Sequence, residues 1–403
     1  MRILIIHNHY KEAGGEDTVF YAEANLLEEH GHEVRKLAFS NKNVKSIWQK
    51  LEAALGVVYN LRSARTIERE LKAFKPDVVH VHNFFPLVSP AVFYVCHKYK
   101  VPVVMTLHNY RLICPSALLH YNGRVQLENV NKVFPVGAIL KKVYRNSAFQ
   151  TASVVLTTGL HKLLGTWRDK VSRFIVLTPG AADLFLNSSL RPKPEQLMVK
   201  PNFTEDPGIG SDNRADFYLY VGRLTPEKGI RTLLEAHQQQ PFPLKIVGDG
   251  PLRGEIERYA AENTTVEYLG FKKREDALSL LKTAKALIFP SEWMETFGLT
   301  IIEAFATATP VVAARIGGAA NLVQHRYNGL HFEPQQPGAL AEQIKVLEQH
   351  PVLANEMGRN ARKTYEQHFT PEVNYRQLLQ IYEAAIGQNK RLAPGALATK
   401  ASL

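Results

Sequence analysis

The chain has 403 residues, 45% of them apolar and 22% charged, with a formal net charge of +11. That composition is globular and excludes a disordered chain, and no apolar run reaches the roughly 18–20 residues a membrane-spanning helix needs. Only Cys96 and Cys114 occur, which excludes a disulfide framework and a four-thiolate metal site and makes a reducing, cytoplasmic setting the expectation. The length favours two domains of about 200 residues each.

The charge is unevenly divided. Residues 1–200 hold 27 Lys+Arg against 15 Asp+Glu, or +12, whereas the remainder holds 22 against 23, or −1. A basic first half fits an anionic membrane surface, or it serves solubility alone. Nucleic acid is disfavoured, because no basic run is interleaved with stacking aromatics.

MRILIIHNHY reads as a buried first strand and not as a signal peptide. Strands are predicted at 2–7, 33–39, 77–82, 102–107, 173–177 and 197–200, with amphipathic stretches between them. DTVFYAEANLLEEHGH is a helix that Gly31 stops, while 40–60 and 115–150 are less regular. PNFTEDPGIGSDNRADF (201–217), rich in turn residues, marks a domain boundary. Beyond it, strands are predicted at 217–222, 244–248, 266–270, 286–290, 310–314 and 329–333. Three helical stretches close the chain, and the tail KRLAPGALATKASL reads as frayed. Strand and helix alternate throughout, so the fold class is α/β, with two doubly wound domains whose ligands gather beyond the carboxyl ends of the strands.

At those ends stand residues suited to a phosphate-bearing ligand. Gly222 and Arg223 through Lys228 and Gly229 form a turn carrying two cations, a fork and a point charge. Gly248 lies in VGDGPLRG, whose GxGxxxG spacing, with Glu267 further on, also resembles a dinucleotide fingerprint. In SEWMETFGLTIIEAF, Glu295 and Glu303 are separated by seven residues, with Phe297, Gly298, Leu299 and Thr300 opening a helix between them. Free N–H groups and the positive helix end make an anion site there. The two glutamates are an acid/base pair, two ligand contacts, or two unrelated charges. Arg315-Ile316-Gly317-Gly318 repeats the glycine-rich approach one strand later. In the first half, Gly14 and Gly15 follow the first strand, and His7, His9, His80, His82 and His108 cluster at strand ends. A metal among these histidines is disfavoured, because no carboxylate stands beside them in the sequence. His108, ending a central strand, is the best-placed catalytic candidate.

Taken together, GGED, DVVHVHN, VVMTLHNYR, VKPNF, YVGRLTPEKG, IVGDGP and PSEWMETFGLTIIEAFATATPVVA resemble family 4 of the retaining glycosyltransferases, over nearly the whole chain. NYRLICP is similar to a bacterial subgroup that builds surface polysaccharides and glycolipids. The resemblance implies a GT-B fold: two Rossmann-like domains facing a central cleft, residues 1–200 for the acceptor and 201–375 for the nucleotide-sugar. It also implies a crossing helix and tail at 376–403 that packs back on the first domain. Arg223 and Lys228 match the basic pair on a donor diphosphate, and Gly298, Leu299 and Thr300 the helix start on its phosphates. Glu303 matches the carboxylate on the ribose and Glu295 the one on the sugar hydroxyls. Gly15 matches a backbone contact from the first domain, His108 the histidine beside the sugar, and the backbone at Phe271 the contact with the base.

The implied activity is transfer of a hexose from a nucleoside-diphosphate sugar to a hydroxyl of a saccharide or lipid-linked saccharide, with no cofactor and no bound metal. The expected location is cytoplasmic, peripheral on the inner face of the membrane. Retention follows from front-face attack or, alternatively, from a double displacement with Glu295 as nucleophile. Rival readings are a GT-B epimerase or other nucleotide-sugar enzyme, a non-catalytic subunit of the same fold, and an NAD(P)-dependent oxidoreductase built on VGDGPLRG.

Overall fold

All twelve predicted strand runs form strands. The computed structural model describes residues 1–9, 14–40, 56–211 and 213–392. Residues 41–55, within the stretch predicted as irregular, and nearly all of the tail predicted to fray lie outside the described residues. The chain divides into two compact units, one built from residues 1–117, 127–200 and 375 onward, the other from 118–126 and 201–374.

The first unit starts with β1 (Arg2–His9), α1 (Gly15–Glu29) and β2 (Glu33–Ser40). It continues with α2 (Leu61–Phe74), β3 (Val78–Val81), α3 (Ala91–Lys98) and β4 (Val103–Thr106). After a short hairpin of β5 (His120–Tyr121) and β6 (Arg124–Val125), grouped with the second unit, come α4 (Val136–Leu140), α5 (Ala148–Leu163) and α6 (Thr166–Lys170). The unit's last αβ elements before the boundary are β7 (Arg173–Val176), α7 (Pro179–Leu186) and β8 (Leu197–Val199). Its sheet is parallel in the order β2-β1-β3-β4-β7-β8. Helices cover both faces of such a sheet, so its central strands are continuous apolar runs: Ile3 to Ile6, Val78 and Val79, and Val103 and Val104 are all sealed from solvent.

The second unit holds β9 (Tyr218–Val221), α8 (Ile230–Gln239), β10 (Leu244–Val247), α9 (Arg253–Glu262) and β11 (Val266–Gly270). It goes on through α10 (Arg274–Leu281), β12 (Leu287–Phe289), α11 (Leu299–Ala306), β13 (Val311–Ala314) and α12 (Gly317–Leu322). β14 (Gly329–Phe332), α13 (Pro337–Gln349) and α14 (Pro351–His368) complete it. The parallel order is β11-β10-β9-β12-β13-β14. Strand order therefore reverses between β9 and β12 here, and between β1 and β3 in the first unit. At such a reversal the flanking connections leave on opposite sides of the sheet and open a crevice at the strand ends.

The last helix, α15 (Pro371–Leu392), passes from the second unit to the first at Asn374 and Tyr375. As expected, it packs back on the N-terminal domain. Tyr382 there is fully buried with its hydroxyl 2.8 Å from His80 Nδ1, Arg173 donates to Gln388, and Asn389 donates to the Lys100 carbonyl.

Candidate active site

In the second unit the loops after β9 and β12 meet at the strand-order reversal. Gly229 ends the β9 turn in the left-handed region, at φ 68°, with the Pro290 carbonyl so close that a Cβ would fall 1.8 Å from its oxygen. Only glycine fits there. Glu292 N–H donates to the Glu227 carbonyl at 2.9 Å and Thr232 Oγ1 to Glu292 Oε1 at 2.6 Å, which fastens the two loops together. Across this junction Lys228 Nζ reaches Glu295 Oε1 at 2.7 Å. Ser291 Oγ (2.6 Å) and Trp293 Nε1 (3.2 Å) donate to the same oxygen. The Lys228 ammonium also lies 5.6 Å from the Trp293 ring centre and 5.9 Å from that of Phe289. Two residues expected on different parts of one ligand are thus joined to each other, and Glu295, at 8% exposure, is nearly buried.

Glycines expected as ligand approaches also serve packing. Gly318 N–H donates to the Glu295 carbonyl at 2.7 Å, and a Cβ on Gly318 would sit 2.1 Å from the Phe297 carbonyl oxygen. Gly317, at φ 54°, lies close to the Glu295 backbone as well. The Gly317-Gly318 pair therefore moulds the Glu295 loop. Likewise a Cβ on Gly248 would fall 1.9 Å from the Gly222 carbonyl oxygen, and Leu224 N–H donates to the Asp249 carbonyl at 2.9 Å. Glu267, the carboxylate a dinucleotide fingerprint would need, is paired instead with Lys245 at 2.9 Å on the strand surface. The glycines of VGDGPLRG are explained by one turn stacking on another, which removes the support for the oxidoreductase reading.

Gly298, at φ 142°, opens α11 with no side-chain cap, so Leu299 and Thr300 present first-turn N–H groups. Glu303 lies in the second turn and accepts from Arg274 Nε at 2.8 Å, while Arg274 also donates to Thr204 Oγ1. Burial pushes the Glu303 carboxyl above its ordinary range, against the pull of Arg274. Glu295 and Glu303 have separate sets of partners and are not a bonded acid/base couple. Arg223 is exposed at the end of β9, with its carbonyl accepting from the Tyr220 hydroxyl. Phe271 is 74% exposed just after β11.

In the first unit, Gly14 and Gly15 lead into α1, and Asp17 closes the turn by accepting from Gly14 N–H at 2.7 Å. The same carboxylate meets both His7 Nε2, at 2.9 Å, and His9 Nδ1. Burial favours the neutral acid, but these hydrogen bonds outweigh it and hold Asp17 below the usual carboxylate range. Neighbouring Glu16 goes the other way: burial and the Asp17 charge push it up to about 8, although Arg111 and an Asn83 hydrogen bond oppose this. His108 follows β4 and stacks on His82, with Nε2 3.0 Å from His82 Nδ1. His82 Nε2 lies 3.4 Å from Glu23 Oε2, and Glu23 Oε1 is 2.6 Å from Lys200 Nζ. His80, next to them, is held by Tyr382 and Thr106 at 2.8 Å each. Burial pushes His108 down to about 3 and His80 and His82 well below the ordinary imidazole value, so all three are neutral at pH 7. Burial alone would raise Glu23, but the Lys200 ammonium, by its charge and its hydrogen bond, keeps it below the carboxylate range. A small pocket at the ends of β3 and β4 is lined by His82, Asn83, Phe85, His108 and Arg111.

The expectation that no carboxylate stands beside the histidines is overturned. α1 lies against the strand ends and brings Asp17 to His7 and His9, and Glu23 to His80 and His82. In the second group the Lys200 ammonium already occupies Glu23. Sequence reasoning assigned no role to Glu23, Lys200 or Arg274. Lys200 stands inside VKPNF, but nothing in that stretch pairs residue 200 with residue 23.

A family model described as Glycosyltransferase Family 4 matches residues 13–156, and one described as Glycosyl transferases group 1 matches residues 202–364. A D-rhamnosyltransferase of Pseudomonas aeruginosa is 37% identical over 158 residues, 38% of this chain and 42% of the relative. The chain therefore spans less than half the length of the first curated relatives it matches. A glycosyltransferase structure from Rickettsia africae superposes with a TM-score of 0.69 at 18% identity, covering 96% of this chain and 98% of that one. Anabaena HepE in complex with UDP-glucose superposes with a TM-score of 0.67 at 20% identity, covering 94% and 99%. With one family model on each half, in order, and neighbours matching both sheets, the chain belongs to glycosyltransferase family 4 and has the GT-B fold of two Rossmann-like domains.

Proposed function

We propose that this protein transfers a hexose from a nucleoside-diphosphate sugar to a hydroxyl of a saccharide or lipid-linked saccharide, with retention and without a resident metal. The single observation that carries the reading is the Lys228–Glu295 pair at the strand-order reversal of the second unit, a few residues before the uncapped start of α11. A cation, a carboxylate and free N–H groups in one crevice suit a ligand that is a sugar at one end and a diphosphate in the middle. UDP-glucose in a structural neighbour and a rhamnosyltransferase among the relatives support a nucleotide-linked hexose.

Lys228, Arg223 and the N–H groups at Leu299 and Thr300 hold the diphosphate and stabilise the charge that grows on it as the anomeric bond breaks. These fixed positive groups supply what a divalent ion otherwise would. The three protein donors to Glu295 all meet Oε1, and among the described residues Oε2 has no protein donor, so Oε2 takes the sugar hydroxyls. Glu303, with Arg274, takes the ribose, and the exposed edge at Phe271 takes the base. In the first domain Gly15 contacts the phosphates through its backbone. His108 is neutral and is fixed by His82, so it serves as a hydrogen-bonding partner for the sugar and not as a cation.

Glu295 is engaged by three donors through Oε1, which disfavours it as a nucleophile and favours front-face attack. In that step the bond from the anomeric carbon to the diphosphate oxygen breaks with its electron pair. The acceptor oxygen bonds to the same face, and its proton passes to the departing phosphate. The basic first domain suits work at an anionic membrane, where a lipid-linked acceptor would lie.

Incubation with UDP-, GDP- and ADP-sugars, with and without saccharide acceptors, tests the reading. Acceptor-dependent release of nucleoside diphosphate and an NMR-assigned product with unchanged anomeric configuration support it. Conversion of the donor sugar without any acceptor would establish the epimerase instead, and a glycosyl adduct on Glu295 would overturn front-face attack.

A further inference from the structure

The solvent side of α5 has the wrong chemistry for a helix facing water. Val154, Val155, Thr158 and His161 are buried against the first unit, as the inner face should be. Yet Phe149, Leu156 and Leu163 are 59%, 54% and 67% exposed. Seven-residue spacing keeps them within about 20° per step, so they form one stripe along the outer face. A surface helix ordinarily puts polar residues there. α4 packs beside α5 and adds Val136 and Leu140, the latter 81% exposed. The Phe134 ring lies over Gly159 between the two helices, where a Cβ would fall 2.3 Å from it.

The charge of the same segment is one-sided. From Asn129 to Arg168 there is no Asp or Glu in 40 residues, but six Lys or Arg. Lys132, Lys141, Lys142, Arg145 and Arg168 are exposed. Lys141 is paired to Glu128, at the edge of the segment, and Lys162 is turned inward to Ser189. An apolar stripe set among bases, with acids excluded, fits an interface between acyl chains and anionic headgroups. It does not suit a second copy of this chain, because a two-fold contact would set one acid-free basic surface against another.

We infer that the outer face of α4 and α5 docks on an anionic lipid bilayer, with Leu140, Phe149, Leu156 and Leu163 entering the headgroup boundary and Lys141, Lys142 and Arg145 lying at the phosphates. The site adds a named surface to the proposed function and rests on it only for the purpose of docking, which is to bring the enzyme to a lipid-linked acceptor.

Co-sedimentation of the full chain with phosphatidylcholine vesicles, with and without one-third phosphatidylglycerol, tests this. Wild type is expected to bind the anionic vesicles at least tenfold better than the neutral ones, and less well in 0.5 M salt. Leu156→Glu/Leu163→Glu should lose at least tenfold in partitioning, and Lys141→Ala/Lys142→Ala severalfold, each with an unchanged melting temperature. Because these side chains are exposed, folding should survive, and the milder Leu156→Ser/Leu163→Ser serves if it does not. Equal binding by wild type and both leucine variants, or no binding of wild type to anionic vesicles, overturns the proposal. So does a wild-type dimer that Leu156→Glu converts to a monomer without vesicle binding by either. Nucleoside-diphosphate release with a soluble acceptor should be unchanged in the variants. If wild type lacks that release but still binds vesicles, the proposed function fails and the docking face stands.

Discussion

Lys228 Nζ sits 2.7 Å from Glu295 Oε1, across the junction of the loops that follow β9 and β12. The pairing means that neither charge stands alone in the crevice, and under the proposed function a diphosphate would compete with Glu295 for the lysine. Lys228→Met should therefore lower kcat/KM by about 10²–10³-fold, the range for removing one donor to a developing charge. Initial rates over a donor titration would measure it, and a loss under fivefold would remove Lys228 from the reacting end of the donor.

The two glutamates should separate by ligand. Glu295→Gln is expected to leave binding of the free nucleoside diphosphate no weaker, or to tighten it because Lys228 is released, and to weaken the nucleotide-sugar at least tenfold. Glu303→Gln should weaken both alike, by about 1–2 kcal/mol for a lost charge-assisted hydrogen bond to the ribose. Isothermal titration with both ligands reads the difference, and identical profiles for the two variants would contradict the assignment.

The buried Glu23–Lys200 pair ties α1 to the residue that precedes the domain boundary. Removing one partner strands the other charge where both side chains are sealed from water. Lys200→Met should cost about 3–5 kcal/mol, whereas Glu23→Gln/Lys200→Met should recover most of that. Urea unfolding of the single and double variants forms the cycle, and additive losses would show that the two residues act independently.

Acid should destabilise the fold early. His80, His82 and His108 stay neutral because burial lowers their affinity for protons, while in the unfolded chain they titrate near 6.5. Above 6.5 neither state takes up these protons and the contribution is flat. Below it the unfolded state does, so stability falls with pH by up to about 1.4 kcal/mol per unit for each histidine. Glu16, raised to about 8, and Glu303, raised by burial, work in the opposite sense because their folded forms bind the proton first, but they are two groups against three. Urea midpoints should drop between pH 6.5 and 5, and a rise across that interval would contradict the assigned neutral state.

Gly317→Ala should damage catalysis without touching ligand directly. Its backbone is left-handed, and an added Cβ would fall 2.7 and 2.8 Å from the Glu295 N and O, which leaves no room for a methyl group. We expect more than a tenfold loss of turnover with a lower melting temperature, while free nucleoside diphosphate still binds through Glu303. Full activity in this variant would show that the Glu295 loop tolerates displacement.

Twelve strands, two doubly wound sheets and the family were legible in the order of residues alone, because apolar periodicity and turn chemistry are local and recur in order. Arg223, Lys228, Glu295 and the start of α11 could be set at strand ends for the same reason, since strand boundaries are written in neighbouring residues. Which side chains meet is a different matter, and the fold settles it. Lys228 and Glu295 are 67 positions apart, and Glu23 and Lys200 are 177 apart. Their contacts depend on strand order, which reverses between β9 and β12 and between β1 and β3, and no local pattern encodes that order. The glycines of VGDGPLRG and RIGG likewise looked like ligand approaches, and the fold shows them also as places where one backbone turn rests on another. The apolar outer face of α5 was equally hidden, because a stretch apolar on both sides reads as wholly buried until packing shows which side is covered.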